Sequence, residues 1–300
     1  MTKLIAGTSN KILAESIAKI LELPLTYCDM SQFNDKEISI VIKDDLADQN
    51  VFIIQSTSSP ANDRLIELLF IADTARRANA KKITVVIPYY GYGRQDKMVD
   101  SNGPISASCV AMLIEAVGIS NIITVDLHSQ RIEEFFRIPV VNLSITEIFA
   151  DLIKAKNATN VVIVSPDLGG EMRARRVSEY LNAAFVIVSK KRYKAGQCEA
   201  ESIVGDVKDK VCYIIDDIVD TAGTLCSAAD ILMANGAKEV HAYVTHGVLS
   251  KDAGDRINNS VLKSLYISDS ICNLGNGLSN KIKTITIAEL MAKQLKALVA

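Results

Sequence analysis

Three hundred residues suit one large α/β domain or two of about 150 each, and 49% hydrophobic residues can fill a substantial core without disulfide staples. A formal charge of −2 excludes a global positive field for recruiting nucleic acid or an acidic membrane, so local basic clusters carry more information than the total. The start, MTKLIAGTSNKILAES, lacks the basic head and continuous apolar stretch of a signal peptide, and the apolar run at 109–119 is broken by Glu115 and too short for a bilayer. Six cysteines (Cys28, Cys109, Cys198, Cys212, Cys226, Cys272) form no C-x-x-C pair and no zinc-spaced cluster. The expectation is a soluble, cytoplasmic protein with reduced thiols.

In chain order, β-branched runs at 3–6, 38–41, 51–55, 83–88 and 122–126 predict strands, and a second series follows at 161–165, 184–189, 211–216, 239–245, 264–267 and 284–287. Helical patterns lie between them at 9–21, 62–78, 105–117, 224–235 and 287–298. In 224–235, Leu225, Ala228, Ala229 and Leu232 share one face and Gly236 is a natural stop. Strands apolar enough to be buried on both faces, alternating with helices, indicate mostly parallel sheets flanked by helices. Eleven strands exceed one compact open sheet. Two α/β domains are therefore expected, 1–143 and 144–300, joined near 140–146, with the final helix free to pack on the N-terminal domain. No internal sequence repeat accompanies this similarity of architecture.

The sharpest local signal is Val211-Cys-Tyr-Ile-Ile-Asp-Asp-Ile-Val-Asp-Thr-Ala-Gly-Thr224. An apolar strand delivers Asp216 and Asp217 to its end, and Asp220, Thr221, Ala222, Gly223 and Thr224 then turn tightly into a helix. Unpaired N–H groups and the dipole at a helix start favour an anion, and small residues let a phosphate approach. The acidic pair suits neutral donors such as ribose hydroxyls, directly or through a metal. This pattern resembles the phosphoribosyl pyrophosphate fingerprint shared by phosphoribosyltransferases and by the synthetase of that compound. Its second turn position is often Gly; Ala222 fits there only at negative φ.

The loop alone does not separate making that compound from using it. Val86-Ile-Pro-Tyr-Tyr-Gly-Tyr-Gly-Arg-Gln-Asp-Lys97 puts Arg94 and Gln95 just beyond a strand, where Arg holds phosphate bidentately and Gln reads a base edge or a phosphate. Thr124-Val-Asp-Leu-His-Ser129 brings His128 to another strand end, where a plain polar loop residue is the commoner role. Ser165-Pro-Asp-Leu-Gly-Gly170 offers Asp167, Leu168, Gly169 and Gly170 as a turn with amides for pyrophosphate and a carboxylate for a cation's water shell. Arg173, Arg175 and Arg176 beyond it could equally form a solvated helix face. Val188-Ser-Lys-Lys-Arg-Tyr-Lys194 places four cations after an apolar strand, a solvated run by default but also what transfer from a polyphosphate needs.

Together with Phe33-Asn-Asp-Lys-Glu-Ile-Ser39, Asn62-Asp, Glu67-Leu-Leu69, Pro104-Ile-Ser-Ala107 and Thr245-His-Gly247, these segments resemble the ribose-phosphate pyrophosphokinase family over nearly the whole chain. The resemblance implies two phosphoribosyltransferase-type domains, ATP and ribose 5-phosphate as substrates, and Mg²⁺ as cofactor. It implies an ATP site of Phe33, Asp35, Glu37, Arg94 and Gln95, with the first three reaching into a neighbouring subunit of a homo-oligomer, a dimer at least and often a hexamer. His128 and Asp167 would position the metal, Asp216, Asp217 and residues 220–224 the ribose 5-phosphate, and Lys190 and Arg192 would act from a catalytic flexible loop. A nucleobase phosphoribosyltransferase would explain the 211–224 pattern without the Arg94 and Lys190 segments, and a non-catalytic regulatory subunit could dispense with Lys190, Arg192, His128 and Asp167, all present here. Departures are Lys36 where Gly is common, Lys97-Met-Val-Asp-Ser-Asn-Gly103 in place of a basic stretch, and an end at Ala300 without the longer tail of many phosphate-activated members. Weak or altered allosteric control is the expectation.

Overall fold

A computed structural model describes residues 2–98, 100–191, 200–273 and 279–299. The chain forms two compact units, the first Met1–Leu143, Asp269–Cys272 and Thr286–Ala300, the second Ser144–Ser268 and Asn273–Ile285.

The first unit begins with β1 (Thr2–Ala6), α1 (Lys11–Leu21), β2 (Leu25–Thr26), β3 (Cys28–Gln32), β4 (Ile38–Ile42) and β5 (Asn50–Ile54). It continues with α2 (Ala61–Arg77), β6 (Lys82–Ile87), α3 (Ser106–Ala116), β7 (Asn121–Val125), α4 (Arg131–Glu134) and β8 (Val140–Leu143). Six strands form a sheet in the order β2-β1-β5-β6-β7-β8, every pair parallel. Near-continuous apolar runs such as Val51-Phe-Ile-Ile54 suit strands covered on both faces. Asn10 caps α1 by accepting from the Leu13 amide, and Leu13, Ala14, Ile17 and Ala18 recur at helical spacing on its buried face.

The second unit runs α5 (Thr146–Lys154), β9 (Val161–Ser165), α6 (Glu171–Leu181), β10 (Ala184–Lys191), β11 (Ala200–Val204) and β12 (Val211–Val219). Then come α7 (Gly223–Ala234), β13 (Glu239–Gly247), α8 (Ala253–Asn259), β14 (Ser264–Ser268) and β15 (Ile282–Ile285). Its seven strands lie in the order β11-β10-β9-β12-β13-β14-β15, all parallel except the β10–β11 pair. The last helix, α9 (Ala288–Val299), belongs to the first unit and packs against α1. Among the described residues no helix is long and apolar enough to cross a membrane.

The two units share a plan. Each starts in mid-sheet, steps one strand outward, makes an antiparallel excursion (β3–β4 in the first, β10–β11 in the second), and returns to the other side of its first strand. The order therefore reverses at β1/β5 and at β9/β12, the points where open parallel sheets bind ligands beyond their carboxyl ends. The expected mostly parallel sheets flanked by helices are observed. Among the described residues the expected eleven strands become fifteen. The additional β2 and β8 have only two and four residues, β11 has five, and β3, CDMSQ, carries too few apolar residues to show an alternating face.

Candidate active site

In the second unit β9 and β12 run side by side with Val164 level with Ile214, so the segments after them leave the same sheet edge. Ser165, fully buried at the end of β9, donates its hydroxyl to the Asp167 carbonyl at 2.7 Å. Asp167 Oδ1 in turn accepts from the Gly170 amide at 2.9 Å, closing the Asp167, Leu168, Gly169, Gly170 turn on itself. Asp167 and Leu168 face solvent, and Gly170 opens α6.

At the end of β12, Asp216 Oδ1 accepts from the Asp217 amide at 2.8 Å. Burial first, and the negative Asp217 next to it second, push the Asp216 carboxyl well above the usual carboxylate range. Asp217 is buried and accepts from Arg173 Nη1 at 3.3 Å across from the first turn of α6. The open choice for the three arginines thus resolves by position. Arg173 points inward, whereas Arg176 is exposed and exposed Arg175 pairs with Glu171 at 2.7 Å and lies over the Phe185 ring.

The turn from Asp220 to Thr224 is tied from outside. Ser250 donates its amide to the Asp220 carbonyl at 3.1 Å and its hydroxyl to Asp220 Oδ1. Arg256 Nη1 of α8 donates to the Thr221 carbonyl at 2.6 Å. No side chain caps α7, so its first amides are offered to whatever lies beyond Gly223 and the exposed Thr224.

One expectation fails here. Ala222 does not sit at negative φ but at +59°, in the left-handed region. The Cβ there costs about 1–2 kcal/mol. The anchored flanks and the burial of Ala222 among the core side chains of this unit hold it in place.

Sequence inspection missed Arg173, Ser250 and Arg256 as site residues. The first was visible only as one of three nearby arginines, and the other two carry no motif.

In the first unit Arg94 and Gln95 follow β6 and His128 follows the adjacent parallel β7, so all three leave one sheet edge. Gln95 is fixed to the start of α3, its carbonyl accepting from the Ala107 amide at 3.2 Å and its Oε1 from the Ser106 hydroxyl. Arg94 and His128 are exposed. Phe33, Asp35 and Glu37 lie at the exposed tip of the β3–β4 ribbon. Glu37 donates its amide to Asp35 Oδ1 at 3.1 Å, and Lys36 closes the turn at φ +77°.

At the switch point of this unit a cavity of about 380 Å³ is lined by Thr8, Arg64 and Glu67 together with residues of β3 and β4. Glu67 of α2, 4% exposed, accepts from the Thr8 amide at 2.5 Å, the Thr8 hydroxyl at 2.6 Å and Arg64 Nη1 at 3.1 Å. Gln55 Oε1 takes the Ser9 amide at 3.1 Å and lies so close to Gly7 that a side chain there would collide with it.

The basic segment is also corrected. Lys190 lies in strand β10, level with Glu201 of β11, not in a loop, because the antiparallel pairing carries the ladder past the apolar stretch. Arg192 falls outside the described residues. As to a metal, the described residues hold no group of three or more His, Cys, Asp or Glu able to form a protein cage. The solvent-facing Asp167 carboxylate, already oriented by an amide, is the hard oxygen donor Mg²⁺ accepts, and that ion binds through one or two carboxylates, water and phosphate oxygens. Of the expected pair, Asp167 alone supplies an oxygen donor of the kind Mg²⁺ takes, whereas His128 offers nitrogen.

Residues 2–118 match the family model described as the N-terminal domain of ribose phosphate pyrophosphokinase, and residues 131–271 match the phosphoribosyl transferase domain. The chain is 47% identical over 296 residues to the ribose-phosphate pyrophosphokinase of Mesorhizobium japonicum, covering 98% of this chain and 95% of the relative. It is 45% identical over 294 residues to that of Campylobacter jejuni, covering 98% and 94%. The crystal structure of phosphoribosylpyrophosphate synthetase from Mycobacterium smegmatis superposes with a TM-score of 0.95 at 32% identity, covering 99% of this chain and 98% of that one. Relatives of this identity span nearly the full length of both chains, and this chain belongs to the ribose-phosphate pyrophosphokinase family.

Proposed function

We propose that the chain transfers the pyrophosphoryl group of Mg·ATP to the C1 hydroxyl of ribose 5-phosphate, giving 5-phosphoribosyl 1-pyrophosphate and AMP for nucleotide biosynthesis. The observation that carries this reading is the β9/β12 edge. There an acidic pair for sugar hydroxyls lies between two turns suited to anions, in a chain that matches the family end to end.

In this reading the amides and hydroxyls of residues 220–224 hold the 5-phosphate, Asp216 and Asp217 take ring hydroxyls, and the Asp167, Leu168, Gly169, Gly170 turn receives the pyrophosphoryl side. Phe33, Asp35 and Glu37, with Arg94 and Gln95, hold ATP in a site shared between subunits of a homo-oligomer. The C1 hydroxyl oxygen attacks the β-phosphorus and gives up its proton to solvent, the bond from that phosphorus to the α–β bridging oxygen breaks, and AMP leaves. Displacement of this kind depends on alignment and on stabilising charge on the phosphoryl oxygens. Lys190 and Arg192 supply that charge from the protein. His128 and Asp167 would hold Mg²⁺, which neutralises phosphate oxygens when bound. The cytoplasm is the compartment of this reaction in the proposal.

The test is AMP production from ATP, ribose 5-phosphate and Mg²⁺ with no nucleobase present. Turnover is expected; none, together with base-dependent release of pyrophosphate from phosphoribosyl pyrophosphate, would transfer the assignment to the phosphoribosyltransferases. Lys190→Ala is expected to lower kcat at least ~10²-fold, a typical cost of losing one transition-state donor, while ribose 5-phosphate binding persists. Near-normal turnover in that variant removes Lys190 from the mechanism.

A further inference from the structure

We propose that Arg173 is a specificity-determining positioning residue: from the first turn of α6 it fixes Asp217 and keeps the Asp216–Asp217 pair set to accept two sugar hydroxyls, which favours ribosyl over 2-deoxyribosyl phosphates. The inference rests on the reading of this edge as the ribose 5-phosphate site.

The geometry is specific. Arg173 Nη1 lies 3.3 Å from Asp217 Oδ1, and the two side chains are only 15% and 7% exposed. An ion pair that buried adds little net stability over apolar side chains of the same size, so packing alone does not account for it. Asp216 is held separately, by the Asp217 amide at 2.8 Å. One carboxylate is thus oriented by a guanidinium and its neighbour by a backbone N–H.

Two adjacent carboxylates repel, and the half-buried Asp216 tends to keep a proton, a tendency that the Arg173 charge opposes. A protonated carboxyl offers a donor where a hydroxyl needs an acceptor. The Arg173 charge therefore bears on whether the pair presents acceptors to both ring hydroxyls. A sugar lacking one hydroxyl leaves a buried carboxylate oxygen unmet, the situation in which discrimination is largest. Arg173 also joins the two halves of the edge. It lies three residues past Gly170, in the helix that the pyrophosphate-side turn opens, yet it acts on the sugar-side pair.

The experiment compares wild type, Arg173→Gln and Arg173→Lys with ribose 5-phosphate and 2-deoxyribose 5-phosphate, following AMP release and fitting kcat and KM separately. Wild type should prefer the ribose compound in kcat/KM by at least ~10²-fold. Arg173→Gln should cut that preference at least ~10-fold, mainly through a higher KM for ribose 5-phosphate. Arg173→Lys keeps the charge and the fold but reaches less far, and should fall between the two. A wild-type preference in either variant overturns the proposal, as does an equal loss for both sugars. A wild-type protein that forms no AMP sinks the functional reading instead.

Discussion

A carboxylate taken out of water costs free energy unless something compensates it, and Asp216 carries that cost next to a second carboxylate. Its pKa is raised in the folded state, so the native protein binds the proton more tightly than the unfolded chain does. Stability is then highest below the unfolded aspartate pKa and falls as pH rises through the folded one. Asp216→Asn keeps the acceptor for the Asp217 amide and removes the charge. The variant should melt about 2–4 °C higher near neutral pH, for a gain of about 1 kcal/mol, and the gain should vanish in acid. Its turnover should fall sharply. A melting temperature below wild type at neutral pH would contradict the argument. The pair itself was legible in the sequence, because two acids at the end of an apolar strand have few structural uses. Arg173 was not, since three arginines within four positions of one helix differ only in which way the helix faces turn them. Ala222 was misread for a related reason: the left-handed φ is imposed by Ser250 and Arg256, which lie far along the chain.

Among the elements, α2 shows how one buried helical carboxylate can brace a sheet edge. Glu67 lies on its buried side and satisfies Thr8 and Arg64 at the β1/β5 switch point. Glu67→Gln would present an NH₂ group to those donors and strand the Arg64 charge. A loss of roughly 3 kcal/mol is expected, and the first thermal transition should drop by roughly 6–12 °C. KM for ribose 5-phosphate should not change, and an unchanged melting curve would refute the role. The parallel strands were legible because burial on both faces leaves long apolar runs. The β3–β4 ribbon was half legible: Ile38-Ser-Ile-Val-Ile42 reads as a strand, whereas its partner is mostly polar and takes its conformation from pairing. Lys190 shows the same limit. Charge marks a loop in sequence, yet backbone pairing with β11 makes that position strand.

At the scale of the whole molecule, two sheets of one plan have diverged in use, one switch point braced by the hydrogen-bonded Glu67 and Gln55 and the other presenting a turn, an acidic pair and an open helix start. That divergence lies in which side chains fill each switch point, which is why a shared architecture was legible without a repeated sequence. The first unit is also not one stretch of chain, since it takes in 269–272 and α9. Ile287, Met291 and Leu295 are fully buried, at about 1.5–3 kcal/mol each. Ending the chain at residue 285 should forfeit a stability comparable to that of a whole domain. Hydrogen exchange should show the amides of β1 and α1 losing protection while those of β12 and β13 keep theirs. Full protection of β1 in the shortened chain would contradict this.

The pairing of α1 with α9 also has a meaning in time. A ribosome delivers α1 long before its cover. At about 5–20 residues per second, the stretch from Leu143 to Ala288 takes on the order of ten seconds to synthesise. For that interval the greasy side of α1 is an unfilled berth on a nascent polypeptide, the moment at which a chaperone has most to offer this enzyme.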